Sequence, residues 1–165
     1  IEHHTGQPLT DAWMVAFYAR RDQALRQHLQ IIDGAHTAVS RLHTQLDGRI
    51  ACASGADRAK VELQLSKVGL MPFFDGRIFS GHELPRTKPA PDVYLAAAAA
   101  LGIAPERCAV VEDSVTGVRS GLDAGATVFG YAPGGGGHSS AEALLAAGVV
   151  QVFSDMAELP ALLAA

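Results

Sequence analysis

The chain has 165 residues, of which 48% are hydrophobic and 18% charged, which is typical of a single globular domain. Its formal net charge of −4 gives no basic surface for nucleic acid or an anionic membrane, and no stretch reaches the ~18 consecutive apolar residues of a membrane helix. The two cysteines, Cys52 and Cys108, both stand in apolar runs. We therefore expect free, buried thiols and a cytoplasmic location.

The first part of the chain is predicted to be helical. Apolar residues recur at helical spacing over residues 9–29, which predicts one or two helices. A second amphipathic helix is predicted over residues 35–46. The aromatic residues Trp13, Phe17 and Tyr18 are expected to pack as core and not to form a platform for a substrate.

Beyond residue 46, short apolar strands alternate with helices. We predict strands at 49–54, 77–80, 108–111, 127–131 and 149–153, and helices at 57–68, 92–101, 115–124, 141–147 and 156–163. This alternation predicts βαβ units, and hence an α/β fold with a parallel sheet covered by helices on both faces. Ligands of such sheets bind at the carboxyl ends of the strands, so polar residues at those ends are candidates for a functional site.

Ser54 and Gly55 follow the first predicted strand and lead into a helix. A hydroxyl and free backbone N–H groups at the start of a helix favour an anion such as phosphate. Alternatively, Ser54 or Asp57 only caps that helix.

Lys88 stands between prolines in the loop that precedes the predicted helix at 92–101. Because prolines stiffen the backbone, this lysine could be held over a phosphate or over a carboxylate nucleophile. The alternative is a solvated lysine in a proline-rich loop.

Glu112 and Asp113 end the strand predicted at 108–111. Two carboxylates beside a buried strand are costly unless they are paired or bind a cation, and carboxylate oxygens with a few waters suit Mg²⁺. Asp113-Ser114 could instead cap the next helix. Their position at the carboxyl edge of the sheet favours a magnesium site.

The order of these three features resembles motifs II, III and IV of the haloacid dehalogenase superfamily. The resemblance is carried by Ser54-Gly55, by Lys88-Pro89-Ala90-Pro91-Asp92, and by Glu112-Asp113-Ser114-Val115-Thr116-Gly117. The last two strings are similar to the β-phosphoglucomutase-like branch, and residues 78–89 resemble a group of sugar-phosphate phosphatases. The family fold is a Rossmann-like, three-layer parallel core with an inserted helical cap. The resemblance thus implies that residues 1–30 are the C-terminal part of a cap and residues 31–165 the core.

The resemblance also implies a magnesium-dependent phosphomonoester hydrolase that forms an aspartyl-phosphate and acts on a small, sugar-like phosphate. Ser54 and Gly55 would bind the phosphoryl group, and Lys88 would neutralise the nucleophile and the phosphate. Glu112 and Asp113 would hold Mg²⁺, with Asp113 as the direct ligand. The relevant partner is then a small-molecule phosphate, with no nucleic acid and no membrane; the oligomeric state is left open.

The nucleophile motif of the family, Asp-x-Asp-x-Thr, does not occur in the 165 residues. The resemblance implies that it lies upstream, on a central strand between the strand that ends at Ser54 and the one that ends at Asp113, so those two strands should not pair directly. Two alternatives remain open. One is a phosphosugar mutase of the same family, and the other is a catalytically incompetent fragment that only binds metal or phosphate.

Three further features are given no role in this prediction. Arg86 is expected to face solvent, the run Gly134 to Gly137 to be a flexible connector, and His3 and His4 to belong to a polar N-terminal stretch.

Overall fold

The computed structural model describes residues 10–164, so His3 and His4 lie outside the described residues. The helices are α1 (Asp11–His28), α2 (Ala35–Gln45), α3 (Arg58–Lys67), α4 (Met71–Phe74), α5 (Asp92–Leu101), α6 (Val115–Asp123), α7 (Ala141–Ala147) and α8 (Leu159–Leu162). The strands are β1 (Cys52–Ser54), β2 (Ile78–Ser80), β3 (Ala109–Glu112), β4 (Thr127–Tyr131) and β5 (Gln151–Phe153). Short 3₁₀ turns lie at Gly81–Glu83, Pro105–Arg107 and Met156–Glu158. The predicted alternation of strands and helices is confirmed.

The strands form two parallel sheets instead of one. β1 pairs with β2, with Cys52 opposite Ile78, and a second sheet has the order β3-β4-β5. β1 and β3 do not pair, and no strand of the described residues lies between them. The α/β class with parallel strands is thus confirmed, and so is the expectation that these two strands are not directly paired.

Backbone groups on β1 and β3 face the space between the two sheets. The Cys52 N–H donates to the Arg77 carbonyl on the β2 side. Alternate residues of a parallel strand direct their backbone groups to opposite sides, so those of Ala53 face away from β2. By the same reasoning, the bond from Thr127 N–H to the Cys108 carbonyl leaves Val111 facing away from β4. We call this space, bordered by Ala53 and Val111, the inter-sheet gap.

The three-stranded sheet is covered on both faces, as predicted. On one face, α6 and α7 bury a cluster around Val118, Val128 and Leu144, each 0% exposed. On the other face, α2 and α8 pack against Tyr131 and Phe153 of β4 and β5. Burial of these apolar side chains is the main favourable term in the stability of this half of the chain.

Several element boundaries differ from the sequence prediction. β1 begins at Cys52 instead of residue 49, because Asp47 and Gly48 form a left-handed turn that carries the chain out of α2. The last predicted helix is divided into a 3₁₀ turn and α8, where Pro160 lacks an N–H donor. The short helix α4 was not predicted.

The prediction that the aromatic residues of α1 pack as core is wrong for the described residues. α1 has no buried residue. Trp13, Phe17 and Tyr18 are 38%, 40% and 42% exposed, and Trp13 and Phe17 stack on each other with ring centroids 5.2 Å apart. Among the described residues α1 packs mainly against α3, and the Tyr18 ring is covered by Arg21 of the same helix, 4.7 Å from the ring centroid.

Both cysteines are free, as predicted, but each is only partly buried. Burial raises the pKa of the Cys52 thiol. Among the described residues, no helix combines the length and the apolar character needed to cross a bilayer.

Candidate active site

The three predicted motifs meet at the inter-sheet gap. Ser54 is the last residue of β1 and Glu112 the last residue of β3, so both stand at the carboxyl ends of their strands. Lys88 extends into the space between them. Its Nζ lies 3.3 Å from the Ala53 carbonyl oxygen and 2.5 Å from Glu112 Oε1.

Lys88 is held in this position by the loop that carries it. The Lys88–Pro89 peptide bond is cis, and the Ala90 N–H donates to the Thr87 carbonyl. The Ser120 hydroxyl of α6 donates to the Ala90 carbonyl at 2.6 Å, which ties the loop to a helix that covers the three-stranded sheet. The Lys88 side chain is only 12% exposed. It is therefore not a solvated lysine but a buried cation directed at the gap.

Glu112 is the centre of a hydrogen-bond cluster. Its Oε1 accepts from the Lys88 ammonium and from the Tyr94 hydroxyl, each at 2.5 Å. Its Oε2 accepts from the Ser114 hydroxyl at 3.0 Å and from the backbone N–H groups of Asp113 and Ser114 at 3.2 and 3.3 Å. Burial by itself raises the pKa of this carboxyl, but the charge of Lys88 and these hydrogen bonds outweigh burial and bring the pKa below its ordinary value. Glu112 is thus ionised and fully bonded within the protein.

Gly117 makes room for the Glu112 carboxylate at the start of α6. A Cβ on Gly117 would lie 2.0 Å from the Glu112 carboxyl carbon and 2.1 Å from both oxygens. No side chain fits at such a distance, so the glycine in Ser114-Val115-Thr116-Gly117 is required by the carboxylate that it faces.

Tyr94 belongs to the cluster around Glu112, although no sequence motif indicated it. It lies in the first turn of α5, two residues after the Lys88–Asp92 motif, and its hydroxyl contacts both Glu112 and Lys88. Burial and the negative charge of Glu112 raise its pKa, so the phenol stays protonated and donates its hydrogen to Glu112. The one sequence feature that could have indicated Tyr94 is its position six residues after Lys88. Since a tyrosine on a helix is more often a packing residue, that position alone does not predict a role in the site.

Asp113 differs from Glu112 in having an accessible carboxylate. Its side chain is 45% exposed, and Oδ2 lies 2.8 Å from His138 Nδ1. Among the described residues no partner contacts its other oxygen. Because both oxygens of Glu112 are already bonded, Asp113 is the better candidate for a direct metal ligand. The assignment of either residue to a metal stays a prediction.

A magnesium ion fits Asp113 as one ligand of several. The described residues contain no group of three His, Cys, Asp or Glu side chains that could hold an ion. Mg²⁺ however keeps several waters and is bound by one or two carboxylates together with substrate phosphates. The second oxygen of Asp113, which has no partner among the described residues, is compatible with that mode.

Ser54 and Gly55 lie at the entrance to the gap. The Ser54 Oγ accepts from the Ala56 N–H at 3.1 Å, while the cap of α3 is Asp57, whose Oδ1 accepts from the Lys60 N–H at 2.9 Å. The alternative of Ser54 as the helix cap is therefore excluded, and its hydroxyl hydrogen is left to donate. Gly55 has open space where a side chain would lie, which permits a close approach to its backbone.

Two of the features that had been given no role take defined positions. Arg86 faces solvent, as expected, and pairs with Asp92 at 2.8 Å. The run Gly134 to Gly137 stays a predicted connector, and the residues that follow it contact the site. His138 contacts the Asp113 side chain, and the Ser139 N–H donates to the Asp113 carbonyl at 2.9 Å.

Comparison with known proteins agrees with this geometry. The model of the family described as haloacid dehalogenase-like hydrolase matches residues 1–125, and the chain belongs to that family. The 6-phosphogluconate phosphatase of Escherichia coli is 30% identical over 129 residues, which are 78% of this chain and 56% of that protein. The hexitol phosphatase A of the same organism is 38% identical over 97 residues, 52% of this chain and 45% of that protein. The chain thus spans about half the length of these curated relatives.

Solved structures show the same fold. A haloacid dehalogenase-like protein of unknown function from Agrobacterium tumefaciens is 34% identical, with a TM-score of 0.81 over 99% of this chain and 73% of that one. A family hydrolase from Deinococcus radiodurans, determined with bound phosphate and sodium, is also 34% identical, with a TM-score of 0.80 over 99% of this chain and 71% of that one.

Proposed function

We propose that this protein is a magnesium-dependent phosphomonoester hydrolase whose substrate is a small, sugar-like phosphate. Membership of a hydrolase family and similarity to phosphatases of sugar-type phosphates support this proposal. A second support is the bound phosphate in the solved relative from Deinococcus radiodurans. Hydrolysis is favoured over transfer by a mutase because these two curated relatives are named as phosphatases.

The observation that carries the proposal is the position of the Lys88 ammonium. It projects into the inter-sheet gap between the carboxyl ends of β1 and β3, where Glu112 and Tyr94 fix it. Glu112 neutralises its charge only in part, because that carboxylate also accepts from Tyr94, Ser114 and two backbone N–H groups. The ammonium therefore remains able to stabilise negative charge on a phosphoryl group, at a place where Ser54 O–H and Gly55 N–H can donate to the same group.

We place the nucleophile on a strand that would occupy the inter-sheet gap. The backbone groups of Ala53 and Val111 face this space, and unpaired backbone groups inside a protein are costly. A parallel strand inserted there would end beside Lys88. An aspartate at its carboxyl end could attack phosphorus and form the aspartyl-phosphate that the family resemblance implies.

Asp113 would hold the magnesium ion. Bound there, Mg²⁺ would screen the charges of phosphate and nucleophile from each other and stabilise the charge that develops in the transition state. Glu112 acts through Lys88: it keeps the ammonium directed at the gap and does not itself touch the substrate.

The test is a phosphate-release assay on the intact protein, including any residues that precede Ile1. We expect Mg²⁺-dependent hydrolysis of p-nitrophenyl phosphate and faster hydrolysis of a sugar or sugar-acid phosphate. Lys88→Met and Asp113→Asn should each lower kcat/KM by about 100-fold or more, because each removes a group that stabilises transition-state charge.

Lys67→Met is the matched control. Lys67 is an exposed lysine in the last turn of α3, at the opposite edge of the sheet, and its loss should leave kcat/KM unchanged. If Lys88→Met behaves like this control, the proposal is wrong.

A further inference from the structure

We infer that His138, at the end of the glycine-rich loop, is a positioning residue for the Asp113 carboxylate. It fixes one carboxylate oxygen and leaves the other available to a divalent cation. The inference rests on the proposed function, since it assigns Asp113 the role of metal ligand. It gives a purpose to a loop that the sequence analysis interpreted as a connector.

The contact between the two side chains is direct. His138 Nδ1 lies 2.8 Å from Asp113 Oδ2. A carboxylate can only accept hydrogen bonds, so Nδ1 carries the hydrogen and donates it. The histidine is 27% exposed and Asp113 45% exposed, so water reaches the pair and would compete for the carboxylate if the histidine were absent.

The backbone next to His138 is tied to the same segment. The Ser139 N–H donates to the Asp113 carbonyl at 2.9 Å, and the Ser139 hydroxyl accepts from the Val115 N–H at 3.3 Å. These two bonds tie the loop to residues 113–115, at the start of α6. The histidine is therefore presented to the carboxylate by a bonded backbone and does not reach it from a free loop.

The imidazole ring is also supported from the sheet. It packs edge-on against Tyr131, with ring centroids 5.9 Å apart and planes at 78°. Tyr131 ends β4 and is itself buried against Phe153. The loop turns back over the sheet through Gly134, Gly135 and Gly137, whose φ angles of 85°, 83° and 95° are favoured only for glycine.

A carboxylate fixed in this way binds a cation better than a free one. Ordering a side chain upon binding costs conformational entropy, and a carboxylate that is already oriented avoids that cost. Residues that hydrogen-bond to metal ligands typically change metal affinity by about 10–100-fold when they are replaced. Within the part of the chain that the structure describes, Asp113 is otherwise anchored through its own backbone, so His138 is the side chain that can supply this effect.

The test is a binding titration of the intact protein with Mn²⁺, followed by electron paramagnetic resonance, with Mg²⁺ as competitor. We expect His138→Ala to weaken Mn²⁺ binding by about tenfold. His138→Asn should stay within about threefold of the unaltered protein, because its amide nitrogen takes the place of Nδ1. His28→Ala, at an exposed histidine in the last turn of α1, is the matched control and should not change binding.

Phosphate release at varied Mg²⁺ separates positioning from a general structural role. For His138→Ala we expect a higher Mg²⁺ requirement but a kcat within about threefold of the unaltered protein at saturating Mg²⁺, since excess metal restores occupancy. A kcat that stays low at every Mg²⁺ concentration would overturn the inference. If the alanine variant does not fold, His138→Gln takes its place: its amide lies one methylene too far out, so it should weaken binding while His138→Asn does not.

The outcomes distinguish this inference from the proposed function. Suppose that the unaltered protein binds Mn²⁺ and that Asp113→Asn abolishes this binding. If His138→Ala then leaves the Mn²⁺ affinity unchanged, only the role of His138 is overturned. Failure of the unaltered protein to bind Mn²⁺ or Mg²⁺ overturns the proposed function and this inference with it.

Discussion

Glu112 and Lys88 form a nearly buried ion pair at the inter-sheet gap. The sequence predicts magnesium binding by Glu112 together with Asp113, but the two oxygens of Glu112 accept five hydrogen bonds from the protein. Its side chain is 8% exposed and that of Lys88 is 12% exposed. A nearly buried ion pair of this kind adds little net stability, but losing one partner leaves the other charge uncompensated. The contact fixes the position of the Lys88 ammonium beside the inter-sheet gap.

The first prediction concerns Gly117. Gly117→Ala should displace the Glu112 carboxylate, because the added Cβ would lie 2.0 Å from its carbon. We expect a loss of at least about 2 kcal/mol in the free energy of unfolding and a large loss of phosphatase activity. Urea denaturation measures the first and phosphate release the second.

The control for Gly117 is Gly136→Ala. A Cβ on Gly136 would meet no other atom within 4 Å, and the φ angle of this residue is not positive, so both quantities should stay near those of the unaltered protein. Equal effects of the two substitutions would show that the close contact at Gly117 is not what matters.

The second prediction concerns the pH dependence of stability. In the folded protein the pKa of Glu112 lies below its ordinary value of 4.5. At a pH between the folded and the ordinary pKa, the Glu112 carboxylate therefore binds a proton more readily in the unfolded chain than in the folded protein. The stability that this ionised group contributes is fully present above pH 4.5 and is lost as the pH falls through the lower folded pKa.

Glu112→Gln should therefore lower the free energy of unfolding by about 3 kcal/mol at pH 7, because Lys88 is left without its charged partner. The difference from the unaltered protein should narrow as the pH falls below 4.5. Urea midpoints over a pH series measure this, with Glu142→Gln, at an exposed glutamate of α7, as control. A difference that is independent of pH would rule out the ion pair as its source.

At the scale of elements, Asp57 joins α3 to α1. Its Oδ1 caps α3 through the Lys60 N–H, and its Oδ2 lies 2.7 Å from Arg21 NH1 in α1. α1 has no buried residue, so this ion pair is one of the specific contacts that hold the helix against the core. The sequence predicted both helices but gave no sign of their connection, because the two residues lie 36 positions apart.

The third prediction separates the two roles of Asp57. Asp57→Ala removes the cap and the ion pair and should lower the free energy of unfolding by about 1–2 kcal/mol. Asp57→Asn keeps a good cap and removes only a partly exposed charge pair, which should cost less than ~1 kcal/mol. Urea denaturation of both variants measures the difference. Equal losses would mean that the ion pair, and not the cap, carries the effect.

At the scale of the whole molecule, the separation of β1 from β3 is the dominant feature. The two sheets are joined across the inter-sheet gap by Lys88, which contacts Ala53 on one side and Glu112 on the other. A side chain can bridge the space but cannot satisfy the backbone groups that border it.

The fourth prediction follows from those backbone groups. In the 165-residue chain alone, the amide hydrogens of Ala53 and Val111 should exchange with solvent much faster than that of Val110, which faces β4. In a longer chain that supplies a strand to the gap, they should become protected. Hydrogen exchange followed by NMR measures this, and slow exchange at Ala53 and Val111 in the shorter chain would contradict the proposed central strand.

The sequence by itself determined the order of strands and helices, the parallel α/β class and the residues at the carboxyl ends of β1 and β3. It could do so because apolar periodicity and breaks at glycine and proline are local properties. Only the tertiary structure decided that Lys88 pairs with Glu112, that Tyr94 joins them, and that His138 holds Asp113. Lys88 and Glu112 lie 24 positions apart in the sequence, and Asp113 and His138 lie 25 positions apart. Parallel strands bring all their carboxyl ends to one edge of a sheet, and no local sequence pattern predicts which side chains meet there. The exposure of the α1 aromatic residues also depends on distant packing, so the sequence did not predict it.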